Sequence, residues 1–209
     1  IKGQRSHALV RQAFEVVVNL LHRGACGCEA NTGDGAGMLI QIPDKFLRKV
    51  TAPLGITLPS PHEYGVGMVF LPRDAQQRED IQALFEQIVV EEGQRVLGWR
   101  SLPSNDHLLG ATARSSEPVF KQLFIGHEGQ GAQGPGAAAD APAAHAHFER
   151  KLYVIRKRVE HAVDRLPLSE KRFFYVASLS SNTLIYKGML IADQMETMFP
   201  DLADPDVES

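Results

Sequence analysis

Cysteine is scarce in this 209-residue chain, tryptophan scarcer still, and neither sign of charge prevails. The two cysteines, Cys26 and Cys28, sit too close together for a useful disulfide staple, which excludes a disulfide scaffold and suits a reducing, cytosol-like compartment. No apolar run is long: residues 13–21 are broken by Glu15 and Asn19, far short of the roughly 20 residues that span a bilayer, so no membrane partner is expected. The opening Ile1-Lys-Gly-Gln-Arg-Ser-His7 leads straight into an amphipathic segment and does not read as a signal peptide. Lys and Arg number 22 against 25 Asp and Glu, a net charge of −3 that gives no electrostatic reason to expect nucleic acid or an anionic membrane. Core material, by contrast, is plentiful. At 44% hydrophobic residues the chain excludes global disorder and can build one large domain or two small ones. It starts at Ile1 rather than Met, as a processed or excerpted chain would, and residues 201–209 read as a polar stretch with no closing element.

Periodicity predicts a first helix capped by Ser6, carrying Leu9, Val10, Ala13, Phe14, Val17, Leu20 and Leu21 at 3.6-residue spacing, with Arg11 and Glu15 paired and Gly24 as the stop. A glycine-rich loop follows, opening into a strand at 38–42 that Pro43 ends. A helix at 44–51 is assigned Asp44 as its cap, and 64–71 reads as a strand whose Gly65 and Gly67 suggest close approach of another backbone. Asp74 caps a helix bearing Ile81, Leu84, Phe85, Ile88 and Val89, Gly93 ends it, and 95–100 is the next strand, a strand–helix–strand unit. Trp99 in that strand is most simply core. Residues 117–125 form a further strand candidate. Residues 126–147, almost wholly Gly, Ala, Gln, Pro and His, read as a flexible low-complexity insertion, because they lack side chains that would repay ordering. A helix then starts at Phe148 through Leu152, Ile155, Val159 and Val163, strands at 173–179 and 183–187 flank Ser180-Ser-Asn182 as a hairpin, and a short helix covers about 192–198. Helices mixed with antiparallel strands make the class α+β.

The strongest local motif is His22-Arg-Gly24 followed by Thr32-Gly-Asp-Gly-Ala-Gly37. Glycines let backbone N–H groups face a ligand, and Arg23 is suited to a bidentate carboxylate contact. A helix C-terminus with favourable dipole charges and a tight turn explains the same residues. No Gly-Lys-Ser/Thr follows, so this is not a P-loop, and the helix precedes the strand, the reverse of a dinucleotide fingerprint. Cys26 and Cys28 form a lone Cys-x-Cys near Glu29, Asp34 and His22. A zinc site wants a second ligand pair at regular spacing, so two small thiols are the simpler account and no metal is expected. Arg150, Lys151, Arg156, Lys157 and Arg158 give the 148 helix a basic face, diluted by Glu149 and Glu160, which fits a solvated or partner-facing helix better than a nucleic-acid site. His145 and His147 offer at most adventitious metal affinity.

Together the segments His22-Arg-Gly-Ala-Cys-Gly-Cys-Glu-Ala-Asn-Thr-Gly-Asp-Gly-Ala-Gly37, Gln41-Ile-Pro43, Glu63-Tyr-Gly-Val-Gly-Met-Val-Phe-Leu-Pro72, Val96-Leu-Gly-Trp-Arg100, Phe148-Glu-Arg-Lys-Leu-Tyr-Val-Ile-Arg-Lys157 and Ile185-Tyr-Lys-Gly-Met189 resemble, in order, the N-terminal class II glutamine amidotransferase domain of the glutamate synthase large subunit. The resemblance implies an N-terminal-nucleophile hydrolase fold, an αββα sandwich incomplete here, spanning 1–209 as a partial domain. It also implies glutamine as substrate: a cysteine at the mature N-terminus attacks the side-chain amide with its own α-amine as base, and the ammonia passes to synthase domains of the same polypeptide. There FMN and an iron–sulfur cluster serve the amination of 2-oxoglutarate; no cofactor is implied in this chain. That cysteine, an arginine segment gripping glutamine and an oxyanion Asn-Gly have no counterpart in these 209 residues, so the chain is expected to be inactive alone. His22, Arg23, Gly24, Thr32, Asp34 and Gly35 are expected to support the active site from beside the nucleophile's strand. The compartment implied is cytoplasmic or plastid-like. The contrasting expectation is a non-catalytic interaction module derived from the same fold, docking through the basic helix.

Overall fold

Two apolar periodicities set the layers. The computed structural model describes residues 4–20, 29–128 and 141–209. Its elements are α1 (His7–Asn19), β1 (Ala36–Gln41), α2 (Asp44–Thr51), β2 (Tyr64–Leu71), α3 (Ala75–Glu91), β3 (Arg95–Ser101), α4 (Ala111–Ser115), β4 (Val119–Gly126), α5 (Ala141–Arg165), β5 (Tyr175–Ser180), β6 (Thr183–Gly188) and α6 (Met195–Met198), with short 3-10 turns between them. A four-stranded antiparallel sheet runs β3–β4–β2–β5, and β1 pairs with β6 in a separate antiparallel ladder. One face of the larger sheet, with Val69, Leu71, Leu123, Ile125 and Val176, packs on the apolar stripes of α3 (Ile81, Phe85, Ile88) and α5 (Phe148, Leu152, Ile155, Val159). The other face, with Val66, Met68, Phe120 and Phe124, meets Met38, Ile40, Leu184 and Tyr186 of the small sheet across a core that α1 and α2 help to close. The fold is α+β.

Several expectations change on contact with the structure. Strands β2 and β3 are each antiparallel to β4, which lies between them, so the strand–helix–strand unit exists but is split. The expected hairpin does not form: β5 joins the large sheet and β6 the small one. At the corner the Glu149 carboxylate accepts from the Ser181 N–H and from the hydroxyls of Ser180 and Ser181, while Ser178 Oγ accepts from the Ile185 N–H at 3.1 Å. These side chains satisfy backbone that a tight turn would have paired with itself. Helix α5 begins at Ala141 rather than Phe148, inside the stretch expected to be flexible. Alanines are the best helix formers, Pro142 sits in the first turn where its missing N–H costs nothing, and His145 Nε2 lies 2.9 Å from Ser181 Oγ. Residues 129–140 lie outside the described residues.

Smaller corrections follow the same physics. Pro43, not Asp44, is the N-cap residue of α2; Asp44 instead binds Arg48 at 2.9 Å and accepts from Tyr64 OH at 2.8 Å. Ser6 caps α1 by position only, with no side-chain bond. Arg11 reaches Glu196 rather than Glu15. Beside Gly65 the close neighbour is the Leu152 side chain, not a backbone. Trp99 is half-buried against the α3 layer and donates to Glu86 at 2.7 Å.

The polar tail is not loose. A 3-10 turn at Pro200–Ala203 buries Leu202, Val207 is also buried, and Ser6 N–H donates to Ser209 O at 3.2 Å. Asp201 enters the core and receives both Nη atoms of Arg100, at 2.6 and 2.8 Å. Arg100 also donates to Gln122 Oε1 (2.8 Å), Gln122 Nε2 donates to Tyr186 OH (3.3 Å), and Tyr186 OH donates to Asp201 (3.2 Å). Phe46 lies under the guanidinium. Burial, then the charge of Asp201, pushes the Tyr186 hydroxyl well above its ordinary range, so it stays a donor.

Asp201→Ala leaves the Arg100 guanidinium buried without its counter-charge and is expected to cost about 3–5 kcal/mol in urea unfolding. Between helices, Glu92 accepts from Lys151 (2.9 Å) and Arg158 (2.7 Å), which holds its carboxyl below the usual range. A carboxylate depressed in the folded state adds stability above its unfolded value of about 4.3 and loses it as the pH falls through the lower folded value. Thermal midpoints measured from pH 6 to pH 3 should therefore fall less steeply for Glu92→Gln than for the unaltered chain.

Candidate functional site

The turn that leads into β1 is pinned from two sides. Thr32 is buried, and its Oγ1 donates to Glu29 Oε2 at 2.8 Å; the same oxygen accepts the Thr112 N–H, at the start of α4, at 3.1 Å. The bond from the Thr112 backbone, then that from Thr32, holds the Glu29 carboxyl below the usual carboxylate range. One residue earlier, the Asn31 carbonyl accepts from the Gly110 N–H (3.1 Å) and from Nε2 of the buried Gln194 (3.0 Å). Gln194 Nε2 also donates to Leu108 O at 2.8 Å, and its Oε1 accepts the Ile191 N–H at 3.0 Å, so the buried amide is satisfied on both atoms.

Two glycines make this packing possible. A Cβ on Gly110 would lie 2.2 Å from Thr32 Oγ1 and 2.4 Å from Glu29 Oε2, in the space the pair occupies. A Cβ on Gly33 would lie 2.5 Å from Leu190 O, so the turn rests directly on the backbone that follows β6. Beyond Gly33 the chain emerges: Asp34 and Gly35 are exposed before β1 begins. Behind the 188–190 backbone is a cavity of about 170 Å³ between the sheets, lined among others by Phe70, Phe120, Leu190 and Met198, with Glu117 and Arg172 as its charged groups. Burial, then the charge of Asp106, pushes the Glu117 carboxyl above the usual range, with Arg73 and Arg114 opposing.

Of the six residues singled out in the sequence, Thr32, Asp34 and Gly35 fall in this turn; His22, Arg23 and Gly24 lie outside the described residues, as do Cys26 and Cys28. Glu29, Gly110, Thr112 and Gln194 were missed. Glu29 stands inside the motif, three residues before Thr32, but nothing in the sequence marks Thr112 or Gln194 as its neighbours. Among the described residues no group of three His, Cys, Asp or Glu is placed to hold a metal, and no helix is long and apolar enough to cross a membrane. His145 is engaged with Ser181, and its ring lies tilted against that of His62, 4.5 Å between centroids. The basic face of α5 is largely met within the chain: Lys151 and Arg158 pair with Glu92, Arg158 also with Glu91, and Arg156 and Lys157 with Glu160.

Comparison with known proteins gives the same answer along the whole length. The family model described as "Glutamine amidotransferases class-II" matches residues 1–209. The chain is 41% identical over 204 residues to the glutamate synthase [NADPH] large chain of Bacillus subtilis (strain 168), covering 98% of this chain and 12% of that one. It is 35% identical to the glutamate synthase [NADH] of Schizosaccharomyces pombe, with 97% and 9% covered. To the chloroplastic ferredoxin-dependent glutamate synthase of Oryza sativa subsp. japonica it is 32% identical, with 97% and 12% covered. The chain thus spans about a tenth of the length of these relatives.

The turn's fit makes a direct prediction. Gly33→Ala drives a methyl group into the Leu190 carbonyl and should lower stability by about 1–3 kcal/mol, read as a lower urea midpoint with an unchanged slope.

Proposed function

The chain belongs to the class II glutamine amidotransferase family, and we propose that it forms part of the glutaminase domain of a glutamate synthase. The observation that carries this reading is the match of one amidotransferase family over all 209 residues, together with relatives that are glutamate synthases by name whether NADPH, NADH or ferredoxin is their partner. The reaction is hydrolysis of the glutamine side-chain amide. A cysteine thiolate adds to the amide carbon, the C–N bond breaks as ammonia leaves, and water cleaves the thioester to glutamate. An N-terminal cysteine is suited to it because an unperturbed α-amine, with a pKa of about 7.7–8.0, is a base poised near neutrality.

Neither Cys26 nor Cys28 has a free α-amine, so in this reading the nucleophile belongs to a part of the parent polypeptide outside the 209 residues, and the chain alone does not turn over glutamine. FMN and the iron–sulfur cluster fall to other parts of the parent as well: two cysteines do not supply the roughly four thiolates a cluster takes. Ammonia released here is consumed by the synthase domains of the same polypeptide, in a reducing compartment, cytoplasmic or plastid-like, that keeps a thiol nucleophile competent.

The role we assign to His22, Arg23, Gly24, Thr32, Asp34 and Gly35 is support. Of these, Thr32, Asp34 and Gly35 belong to the described turn, and the double pinning of Asn31 and Thr32 favours a fixed rather than an adaptable element beside the nucleophile's strand. In the full-length parent, Arg23→Ala and Asp34→Ala should each lower ammonia release from glutamine on the order of 10–100-fold, the effect of a small misplacement of reacting groups; unchanged release would overturn the assignment. Intact mass and N-terminal sequencing of the native polypeptide should show a much larger chain that begins with cysteine.

A further inference from the structure

We propose that Glu29 is a positioning residue for this glutaminase reaction, acting through the Thr32 hydroxyl to fix the turn at 32–35; the assignment rests on the functional reading above. The two ties that hold the turn differ in kind. Gln194 is buried and bonds only backbone, joining Asn31, Leu108 and Ile191, so it serves the packing of three segments. Glu29 sits at the solvent edge and spends a single oxygen on two donors, the Thr32 hydroxyl and the Thr112 N–H. Removing a carboxylate at the edge leaves no charge stranded in the core. It does leave the buried Thr32 hydroxyl without its acceptor, and only Gly33 separates Thr32 from the exposed Asp34–Gly35 pair. Gly110 reserves the space for this contact, since any side chain there would displace Thr32 Oγ1 or Glu29 Oε2. The arrangement therefore controls where the turn sits more than whether the domain folds.

The test uses the full-length parent enzyme with Glu29→Ala, Glu29→Gln and Thr32→Val. Ammonia release from glutamine is measured as kcat and KM, with thermal midpoints alongside and glutamate formation from supplied ammonium as a reaction that bypasses glutamine. Glu29→Ala should lower kcat on the order of 10–100-fold, with KM and the thermal midpoint moving far less and the ammonium-dependent rate unchanged. Glu29→Gln, which keeps an acceptor oxygen, should restore most of kcat. Thr32→Val should match Glu29→Ala, and the double variant should be no worse than either single one, because both act through one contact. Unaltered kcat in Glu29→Ala, a glutamine variant as impaired as the alanine one, or a parallel loss of the ammonium-dependent rate would each overturn the assignment. A wild-type parent that releases no ammonia from glutamine would overturn the functional reading itself, and this assignment with it.

Discussion

A guanidinium placed between two sheets dictates much of what surrounds it. Arg100 comes from the large sheet, Tyr186 from the small one, Phe46 from α2 and Asp201 from the tail, and all four meet inside the core. Taking such a charge out of water is expensive unless it is paired and hydrogen-bonded. Gln122 and the bidentate carboxylate take three bonds from its two Nη atoms. The demand explains why a tail of polar composition folds back instead of trailing into solvent. It carries the counter-charge, and Leu202 and Val207 come to rest in the same core.

The turn before β1 obeys the same rule on a smaller scale. Its buried polar atoms are matched one by one, by Glu29, by Gln194 and by the N–H groups at the start of α4. Elements distant in sequence thereby converge on one short stretch of backbone, and the cavity behind it shares the 188–190 segment on which Gly33 rests. Under the function proposed above, the nucleophile must be held in one place, and a turn without slack would suit a neighbour of it.

What could be read from the sequence was local. The bounds of β2 and the Asp74 cap of α3, whose side chain accepts the Gln77 N–H at 2.9 Å, follow from alternation and capping within a few residues. The glycine turn stood out for the same reason. What could not be read was decided across the chain. Strands β5 and β6 look like a hairpin until Glu149, on another element, occupies the corner. The start of α5 was obscured because alanine adds little apolar surface, although it favours helix. Arg100 gives no hint of Asp201, nor Thr32 of Thr112 and Gln194, because such partners are fixed by the sheet order and not by spacing.

The split of β2 and β3 around β4 bears on how the domain assembles. Helix α3 carries the chain from the second strand to the third, yet those strands never touch, and the seat between them stays empty until β4 is made. The far side of β2 waits longer, for β5. A chain emerging from the ribosome thus completes its helix long before the sheet beneath it, and closure of the larger sheet depends on contacts distant in sequence, the kind that slow folding. During that interval the apolar faces of β2 and α3 stand open to water. Until β4 and β5 arrive, those faces are the part of the chain most open to wrong pairing.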